Sequence, residues 1–196
     1  MGLKIAIEEI SPDRLSQYDR VPQRVEVKTI LQVELINQGF GGMLLQEVPV
    51  EKPYFKDYDA SGDLPSDVAK NFDECNWGFF LSIKGNIPNC AATIARDTTG
   101  VFMLEARREM AVLWDICVCP EFRGVGILLF RYAAEWSRIR SYAQMKIETQ
   151  NINVPAWRFY QRMGAHLGEI YRYGYAAVPT IANKVMKNWY QVLTNL

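Results

Sequence analysis

The sequence predicts a mixed α/β domain built around one main sheet. Three features point to this fold class: strand-like segments across residues 77–118, a switch to helical periodicity at Gly124, and further strand-like segments from residue 145 onward. Strands and helices that alternate in this way are typical of a sheet covered by helices. The 196 residues suit one domain, and an apolar share of 49% supplies its core. We therefore expect one domain over residues 1–196.

The N-terminal part, residues 1–76, gives a weaker pattern. Leu3–Ile10 alternates apolar and polar residues, as a half-buried strand does. Ser11-Pro12-Asp13 then offers a helix start, with serine as the cap and proline in the first turn. Residues 21–45 fit no single element, although Asn37–Gly42 contains three glycines and breaks regular structure.

Residues 46–66 are rich in proline and acidic residues, and we predict a long loop there, followed by a short helix at 67–75. Charge is unevenly spread, with seven acids and three lysines in 51–75 but nine bases and three acids in 131–196. The asymmetry reflects either a solvated surface or two ligands, a cationic one near the acidic stretch and an anionic one on the basic half.

The second half of the chain alternates strands and helices more clearly. The predicted strands are 77–83, 89–95, 111–118, 145–150, 165–173 and 184–193. The predicted helices are 124–141 and 154–163. The first of these helices would place Ile127, Phe130, Ala134 and Ile139 along one face.

Composition excludes several classes of protein. Twenty-two basic residues balance 22 acidic ones, which argues against electrostatic binding of nucleic acid. The opening MGLKIAIEEI lacks the features of a signal peptide, and Ala6 excludes a myristoylation motif. No segment has the roughly 20 apolar residues that cross a bilayer. We expect a cytoplasmic protein with neither a nucleic-acid nor a membrane partner.

The four cysteines and the single histidine, His166, match no metal or disulfide framework, so no metal is expected. No GxSxG elbow is present to pair His166 with a serine nucleophile. Cys117 and Cys119 would share one face of a strand. They act there either as a redox or metal pair or as small hydrophobic residues.

A glycine-containing turn between a strand and a helix is the most informative stretch. The strand is expected to end at Val118, and Arg123-Gly124-Val125-Gly126 then opens the helix. Glycines let backbone N–H groups approach an anion, and the helix N-terminus and Arg123 add positive charge, which suits a pyrophosphate. A P-loop would require a lysine that is missing here, and a dinucleotide fingerprint would require glycine in place of Leu129.

Two segments resemble motifs of the GCN5-related N-acetyltransferases. Pro120-Glu-Phe-Arg-Gly-Val-Gly126 is similar to motif A, [RQ]xxGx[GA], although Leu128 stands where glycine or alanine is usual. Asn153-Val-Pro-Ala-Trp-Arg-Phe-Tyr-Gln-Arg-Met-Gly164 is similar to the NxxAxxFYxxxG segment that follows the family's fifth strand. Within the family, Glu148–Val154 and Asn76-Trp77-Gly78 resemble the streptothricin acetyltransferases.

The resemblance implies the GNAT fold, in which helices flank a central, mixed, mostly antiparallel twisted sheet of about seven strands. It also implies an acyltransferase that uses acetyl-coenzyme A as cosubstrate and acetylates a primary amine of a small molecule. For the narrower subgroup, the acceptor is a streptothricin-type antibiotic. The motif-bearing core is then residues 77–193, preceded by an N-terminal part with the substrate loop. Family members often dimerise, so a homodimer is one expected state.

The resemblance also implies roles for individual residues. The pyrophosphate is expected on Arg123, Gly124, Val125, Gly126, Ile127 and Leu128. The pantetheine arm is expected to pair with the backbone of Ile116, Cys117 and Val118 and to contact Asn153, Ala156 and Tyr160. Tyr160 is the expected general acid, which protonates the departing thiolate.

The general base is left open. Asp115 lies on the strand expected to hold the thioester, and it either removes the proton of the acceptor ammonium or binds that ammonium. Related polyamine acetyltransferases carry a Glu-Asp pair here, and Trp114 replaces its first member. Glu105, Glu109 or a chain of waters are the alternatives. In the predicted loop, Asp57 and Tyr58 are candidates for contact with the acceptor.

Two other functions fit the same motifs. One is a protein acetyltransferase that modifies an N-terminus or a lysine, and the zero net charge does not separate it from a small-molecule enzyme. The other is a non-catalytic acyl-coenzyme A binding module, which Leu128 and Trp114 favour and the retained Tyr160 opposes.

Overall fold

The computed structural model describes residues 6–61, 64–68, 70–122 and 124–193. The chain divides into two compact units. Unit 1 comprises Met1–Gln23, Asp57–Ile147 and Gln191–Leu196, and unit 2 comprises Arg24–Lys56 and Glu148–Tyr190. Strand β7 crosses the boundary between them.

Nine strands and four α-helices are present in the described residues. The strands are β1 Ile7–Ile10, β2 Arg24–Leu35, β3 Met43–Asp57, β4 Gly78–Lys84, β5 Ile87–Ala95, β6 Met110–Val118, β7 Gln144–Gln150, β8 His166–Tyr171 and β9 Met186–Val192. The α-helices are α1 Leu15–Tyr18, α2 Pro65–Val68, α3 Val125–Ile139 and α4 Val154–Arg162.

Seven strands form the main sheet in the order β1-β4-β5-β6-β7-β9-β8. Neighbours β1–β4, β4–β5, β5–β6 and β8–β9 are antiparallel, whereas β6 and β7 are parallel. The expected fold class, a mixed and mostly antiparallel sheet of about seven strands with helices, is confirmed. All six strands and both helices predicted in residues 77–193 are present, with ends shifted by at most two residues.

The core of unit 1 lies between strands β4–β6 and helix α3. Strand β5 is buried from Pro88 to Ala95 because its residues are small or apolar on both faces. Helix α3 buries Leu129, Phe130, Ala133 and Trp136 at helical spacing. The predicted stripe is therefore correct at Phe130 but displaced elsewhere, since Ile127 and Ile139 are 41% and 62% exposed.

The prediction of a long loop over 46–66 is wrong. Residues 43–57 form β3, which pairs with β2 in a separate two-stranded sheet. Prolines at 49 and 53 suggested a loop, but both strands of a two-stranded sheet are edges, where a missing N–H is tolerated. The break at Asn37–Gly42 is confirmed, since it forms the turn of this hairpin, with Asn37 and Gln38 at positive φ.

The short helix predicted over 67–75 is also wrong for most of its length. Helix α2 ends at Val68, and residues 70–77 form turns and irregular structure. At the N-terminus, Ser11 precedes a 3-10 turn, Pro12–Arg14, that leads into α1, but its side chain makes no capping hydrogen bond. Within the described residues, no helix has both the length and the apolar character to cross a membrane.

Candidate active site

A β-bulge in β6 sets the direction of Asp115. The pairing of β5 with β6 passes from Thr93–Asp115 directly to Ile94–Leu113, so Trp114 is an extra residue on β6. Bulges bend a strand and redirect side chains, and they are frequent next to active sites. Trp114 packs against Trp77 and Phe72, with ring centres 5.3 and 5.6 Å away. An aromatic cluster therefore anchors the bulge.

Asp115 is held by a buried chain of hydroxyl groups. The hydroxyl of Tyr18 donates a hydrogen bond to Asp115 Oδ1, and Thr93 Oγ1 donates to Tyr18 Oη over 3.0 Å. Tyr18 and Thr93 are 0% and 1% exposed. Since neither hydroxyl reaches solvent, the chain fixes the orientation of the carboxylate.

Burial raises the pKa of Asp115 to about 7. The hydrogen bond from Tyr18 and the nearby hydroxyl of Thr93 lower the pKa, whereas the negative charges of Asp59 and Asp19 raise it further. Burial and the Asp115 charge also raise the pKa of Tyr18 well above 10, so this tyrosine stays a proton donor. A carboxyl group of this kind exchanges a proton near neutral pH, which suits a general base.

Asp59 and Asp19 are themselves fixed by backbone N–H groups. Asp59 Oδ2 accepts from the N–H of Gln23 over 3.0 Å, and Asp19 Oδ1 accepts from the N–H of Ser66 over 3.2 Å. Unit 1 thus contains two carboxylates, Asp19 and Asp59, whose negative charges act on Asp115, and such an arrangement attracts a cationic group.

The two candidate acceptor contacts from the predicted loop lie close to this group in sequence. Asp57 ends β3, and its Oδ1 accepts from the N–H of Ala60 over 3.2 Å. The N–H of Tyr58 donates to the carbonyl of Gln23 over 3.0 Å. A role for either side chain at the acceptor stays a prediction.

Glu105 and Glu109, the alternative bases, are engaged in ion pairs. Glu105 Oε1 lies 2.5 Å from Lys146 Nζ, and Glu109 Oε1 lies 2.7 Å from Arg107 Nε. The hydrogen bond from Arg107 lowers the pKa of Glu109. A carboxylate with a lowered pKa is a weaker base, so these pairings favour Asp115.

Removing the Tyr18 hydroxyl tests the electrostatics of this site. The hydrogen bond from Tyr18 lowers the pKa of Asp115, so Tyr18→Phe is expected to raise it. If Asp115 acts as the base, the rise of kcat/KM with pH shifts to higher pH, and the activity at pH 7 falls several-fold. The pH–rate profile measures this shift, with Tyr142→Phe as a matched control. An unchanged profile would show that Asp115 does not set it.

The ladder between β6 and β7 is short. Four residue pairs join the two parallel strands, from Met110–Gln144 to Leu113–Ile147. Beyond Leu113, Ile116, Cys117 and Val118 pair with β5. In unit 1, these three residues therefore pair with a described strand on one side. The backbone N–H and C=O groups of their other edge suit pairing with an extended ligand.

The turn between β6 and α3 has the geometry of an anion site. Gly124 precedes α3 with a φ of 99°, which favours glycine, and no side chain caps the helix. The N–H groups of Val125 and Gly126 begin a helix of 15 residues, so the positive end of its dipole lies here. Lys84 Nζ lies 5.1 Å from the centre of the Phe122 ring and adds a positive charge. Arg123, also expected to contact the pyrophosphate, lies outside the described residues.

A Cβ at Gly124 is expected to weaken binding at this turn. The side chain would meet no atom within 4 Å, but the φ of 99° strains any residue other than glycine. We expect Gly124→Ala to raise the KM for acetyl-coenzyme A about ten-fold, from a strain of about 1–2 kcal/mol, with a small change in kcat. Gly42→Ala, with a φ of 88° in the β2–β3 turn and equal space, is the matched control. Equal KM values for both variants would contradict the role of this turn.

Asn153 and Tyr160 lie at opposite ends of α4 in unit 2. Asn153 Oδ1 caps the helix by accepting from the N–H of Ala156 over 3.2 Å. Ala156 is half-buried. Tyr160 is 5% exposed and packs edge to face on Phe159, with ring centres 5.4 Å apart. The structure thus explains Asn153 as a helix cap, and the expected contacts of these residues with pantetheine stay predictions.

Cys117 is buried, and its thiol is free. Cys117 Sγ lies 3.6 Å from the carbonyl of Ala91, and burial raises its pKa well above 9. Cys119 is half-buried and is also a free thiol. A raised pKa disfavours the reactive thiolate, which favours small hydrophobic residues over a redox pair. No group of three or more potential ligands for a metal occurs in the part of the chain that the structure describes.

Comparison with known proteins defines the class. The model of the acetyltransferase (GNAT) family matches residues 52–165, more than half of the chain. The chain belongs to this family and is an acyltransferase that uses acetyl-coenzyme A as its cosubstrate. The match covers the bulge with Asp115, the turn before α3 and Tyr160.

Relatives of this chain are named for streptothricin, and one similar solved structure is named for nourseothricin. The chain is 26% identical to the streptothricin acetyltransferase of Escherichia coli, over 92% of both chains. It is 30% identical to streptothricin acetyltransferase A of Bacillus subtilis (strain 168), over 71% of this chain and 73% of the relative. The crystal structure of nourseothricin acetyltransferase has a TM-score of 0.75 and 20% identity, covering 97% of this chain and 99% of its own. A similar structure from Bacillus anthracis str. Ames, solved with acetyl coenzyme A, also has a TM-score of 0.75, at 21% identity, covering 96% of this chain and 99% of its own.

Proposed function

We propose that this protein transfers an acetyl group from acetyl-coenzyme A to a primary amine of a streptothricin-type small molecule. The observation that carries the mechanism is the Asp115 carboxylate, oriented by Tyr18 and with a pKa of about 7. The relatives named for streptothricin support the choice of acceptor, since two of them are similar over most of the chain.

Asp115 is the proposed base. An alkyl ammonium group has a pKa of about 10, so it must lose a proton before its nitrogen can attack. The Asp115 carboxylate accepts that proton, and the charges of Asp59 and Asp19 favour the cationic acceptor beside it. Trp114 then serves to hold the bulge rather than to replace a second acid.

The neutral amine attacks the carbonyl carbon of the thioester. The new N–C bond forms, the C–S bond breaks as Tyr160 protonates the departing thiolate, and the nitrogen returns its second proton to the Tyr160 oxygen, which gives an amide and coenzyme A. Asp115 releases the first proton to solvent. An N–H group among Ile116–Val118 polarises the thioester carbonyl. We propose that residues 1–196 act as one catalytic domain.

The cosubstrate is proposed to bind along β6 and the turn that follows it. The edge of Ile116–Val118 opposite to β5 would pair with the pantetheine arm, and the N–H groups at Gly124, Val125 and Gly126 would hold the pyrophosphate. Ile127 and Leu128 are 41% and 48% exposed in the first turn of α3 and would border the phosphates.

Thiol release dependent on acetyl-coenzyme A tests the proposal across a panel of amines. The panel contains streptothricin, lysine, polyamines, aminoglycosides and short peptides. Strong turnover of streptothricin supports the proposal, and turnover of peptides alone would assign a protein acetyltransferase instead. Cosubstrate binding without turnover of any amine would favour a non-catalytic binding module.

A further inference from the structure

Three polar residues lie side by side on one face of the sheet in unit 2. Trp189 Nε1 donates to Thr149 Oγ1 over 3.1 Å, so Trp189 and Thr149 share a face. Side chains alternate along a strand, which places the neighbours Glu148 and Asn188 on the opposite face. Asn188 also donates from Nδ2 to Glu169 Oε2, so Glu169 lies on the same face as Asn188.

The strand register aligns these three residues in a row. The N–H of Asn151 donates to the carbonyl of Val185 and the N–H of Leu193 to that of Ala143, so β7 and β9 run antiparallel. Stepping back three residues on β7 and forward three on β9 puts Glu148 opposite Asn188. Asn188 is paired with Glu169 on β8. Adjacent strands lie about 4.8 Å apart, so two carboxylates flank one amide. We call Glu148, Asn188 and Glu169 the acceptor row.

The central amide of the acceptor row has an unsatisfied oxygen. Asn188 is 3% exposed, and its Oδ1 has no hydrogen-bond partner among the described residues. A carboxylate can only accept, so the bond to Glu169 fixes Nδ2 toward β8 and turns Oδ1 away from it. Gln150, on the same face as Glu148, likewise has an Oε1 without a partner in the described part of the chain. Both unsatisfied atoms are acceptors, and each needs a donor.

We propose that the acceptor row binds an alkylammonium group of the acetyl acceptor, separate from the amine that reacts. An ammonium carries three donors and no acceptor, which matches an amide oxygen next to carboxylates. Tyr175 Oη donates to Glu148 Oε1 over 2.6 Å and fixes one end of the row. Glu148 is half-buried and Glu169 exposed, so the row is approached over its carboxylates. The inference deepens the proposed function and rests on it for the identity of the ligand.

Two substitutions each alter one member of the row without adding charge. Glu148→Gln retains an oxygen for Tyr175, and Asn188→Leu keeps the branched shape and the number of heavy atoms while it removes the amide, including its bond to Glu169. For each variant, we expect the KM and Kd for streptothricin to rise about ten-fold, because hydrogen bonds to charged groups are lost. The KM for a mono-ammonium acceptor stays unchanged. Glu135→Gln, which removes an exposed ion pair with Arg138, is the matched control.

Isothermal titration calorimetry measures ligand binding without acetyl transfer, so it tests this inference separately from the proposed function. If wild type binds streptothricin or spermidine and Glu148→Gln weakens that binding, the acceptor row is supported even when neither compound is acetylated. If the folded Glu148→Gln variant binds both like wild type, the inference is wrong, and Asn188→Leu is not needed to decide. Absence of polyammonium binding to wild type would also overturn it.

Discussion

We expect Asp115→Asn to lower kcat/KM for the amine by about 10²–10⁴-fold, the range for loss of a general base. Asparagine can still accept the hydrogen bond from Tyr18, so the variant removes the charge and the basicity while it keeps the contact. The KM for acetyl-coenzyme A should change little. Steady-state kinetics on both substrates measure the effect, and wild-type activity in the variant would exclude Asp115 as the base.

The raised pKa of Asp115 also predicts the direction in which kcat/KM and stability change with pH. The pKa of Asp115 is raised to about 7, so its carboxylate form, and with it kcat/KM, increases as pH rises through about 7. Between about pH 4 and 7 the folded protein holds a proton that the unfolded chain has released, so this group makes stability fall as pH rises. Asp115→Asn should remove both dependences. Activity and thermal unfolding, each measured from pH 5 to 9, check the two slopes independently.

Tyr160→Phe is expected to lower kcat by about 100-fold or more, with the KM for acetyl-coenzyme A nearly unchanged. Phenylalanine preserves the edge-to-face contact with Phe159, so the change removes the hydroxyl and little packing. Single-turnover acetylation, with acetyl-coenzyme A in place and the amine added, isolates the chemical step.

The control for Tyr160→Phe is Tyr171→Phe, at a strand tyrosine that is 50% exposed. A fall in kcat for both variants would indicate a general effect of losing a hydroxyl. If Tyr160→Phe keeps the wild-type kcat, Tyr160 is not the general acid, and water protonates the thiolate.

The second half of the fold was predictable because each element there has a strong local signal. Strand β5 is buried on both faces and helix α3 has a helical stripe, so burial and periodicity agree. Burial and periodicity do not agree in this way for strand β3, because its prolines and charges occupy the edge of a two-stranded sheet. Nothing local distinguishes such a strand from a loop, and its partner strand decides the outcome.

The site was predictable where it follows motifs and not where it depends on distant contacts. Asp115 and Gly124 could be chosen from sequence, because the strand, the turn and the helix are contiguous. Tyr18, which orients Asp115, lies 97 residues away and carries no motif. Asp19 and Asp59 act on Asp115 through their charges, and no feature of the sequence separates Asp59 from the nearby Asp57.

Because the β6–β7 ladder is short, bound acetyl-coenzyme A is expected to stabilise the folded protein. If the cosubstrate pairs with Ile116–Val118, it adds a second neighbour to residues that pair with β5 on one side, and it binds the folded state alone. Folding free energy then grows with the logarithm of ligand concentration, by about 2.7 kcal/mol at a hundred times Kd. The enzyme saturated with acetyl-coenzyme A would therefore resist unfolding, and proteolysis of its unfolded form, more than the free protein does.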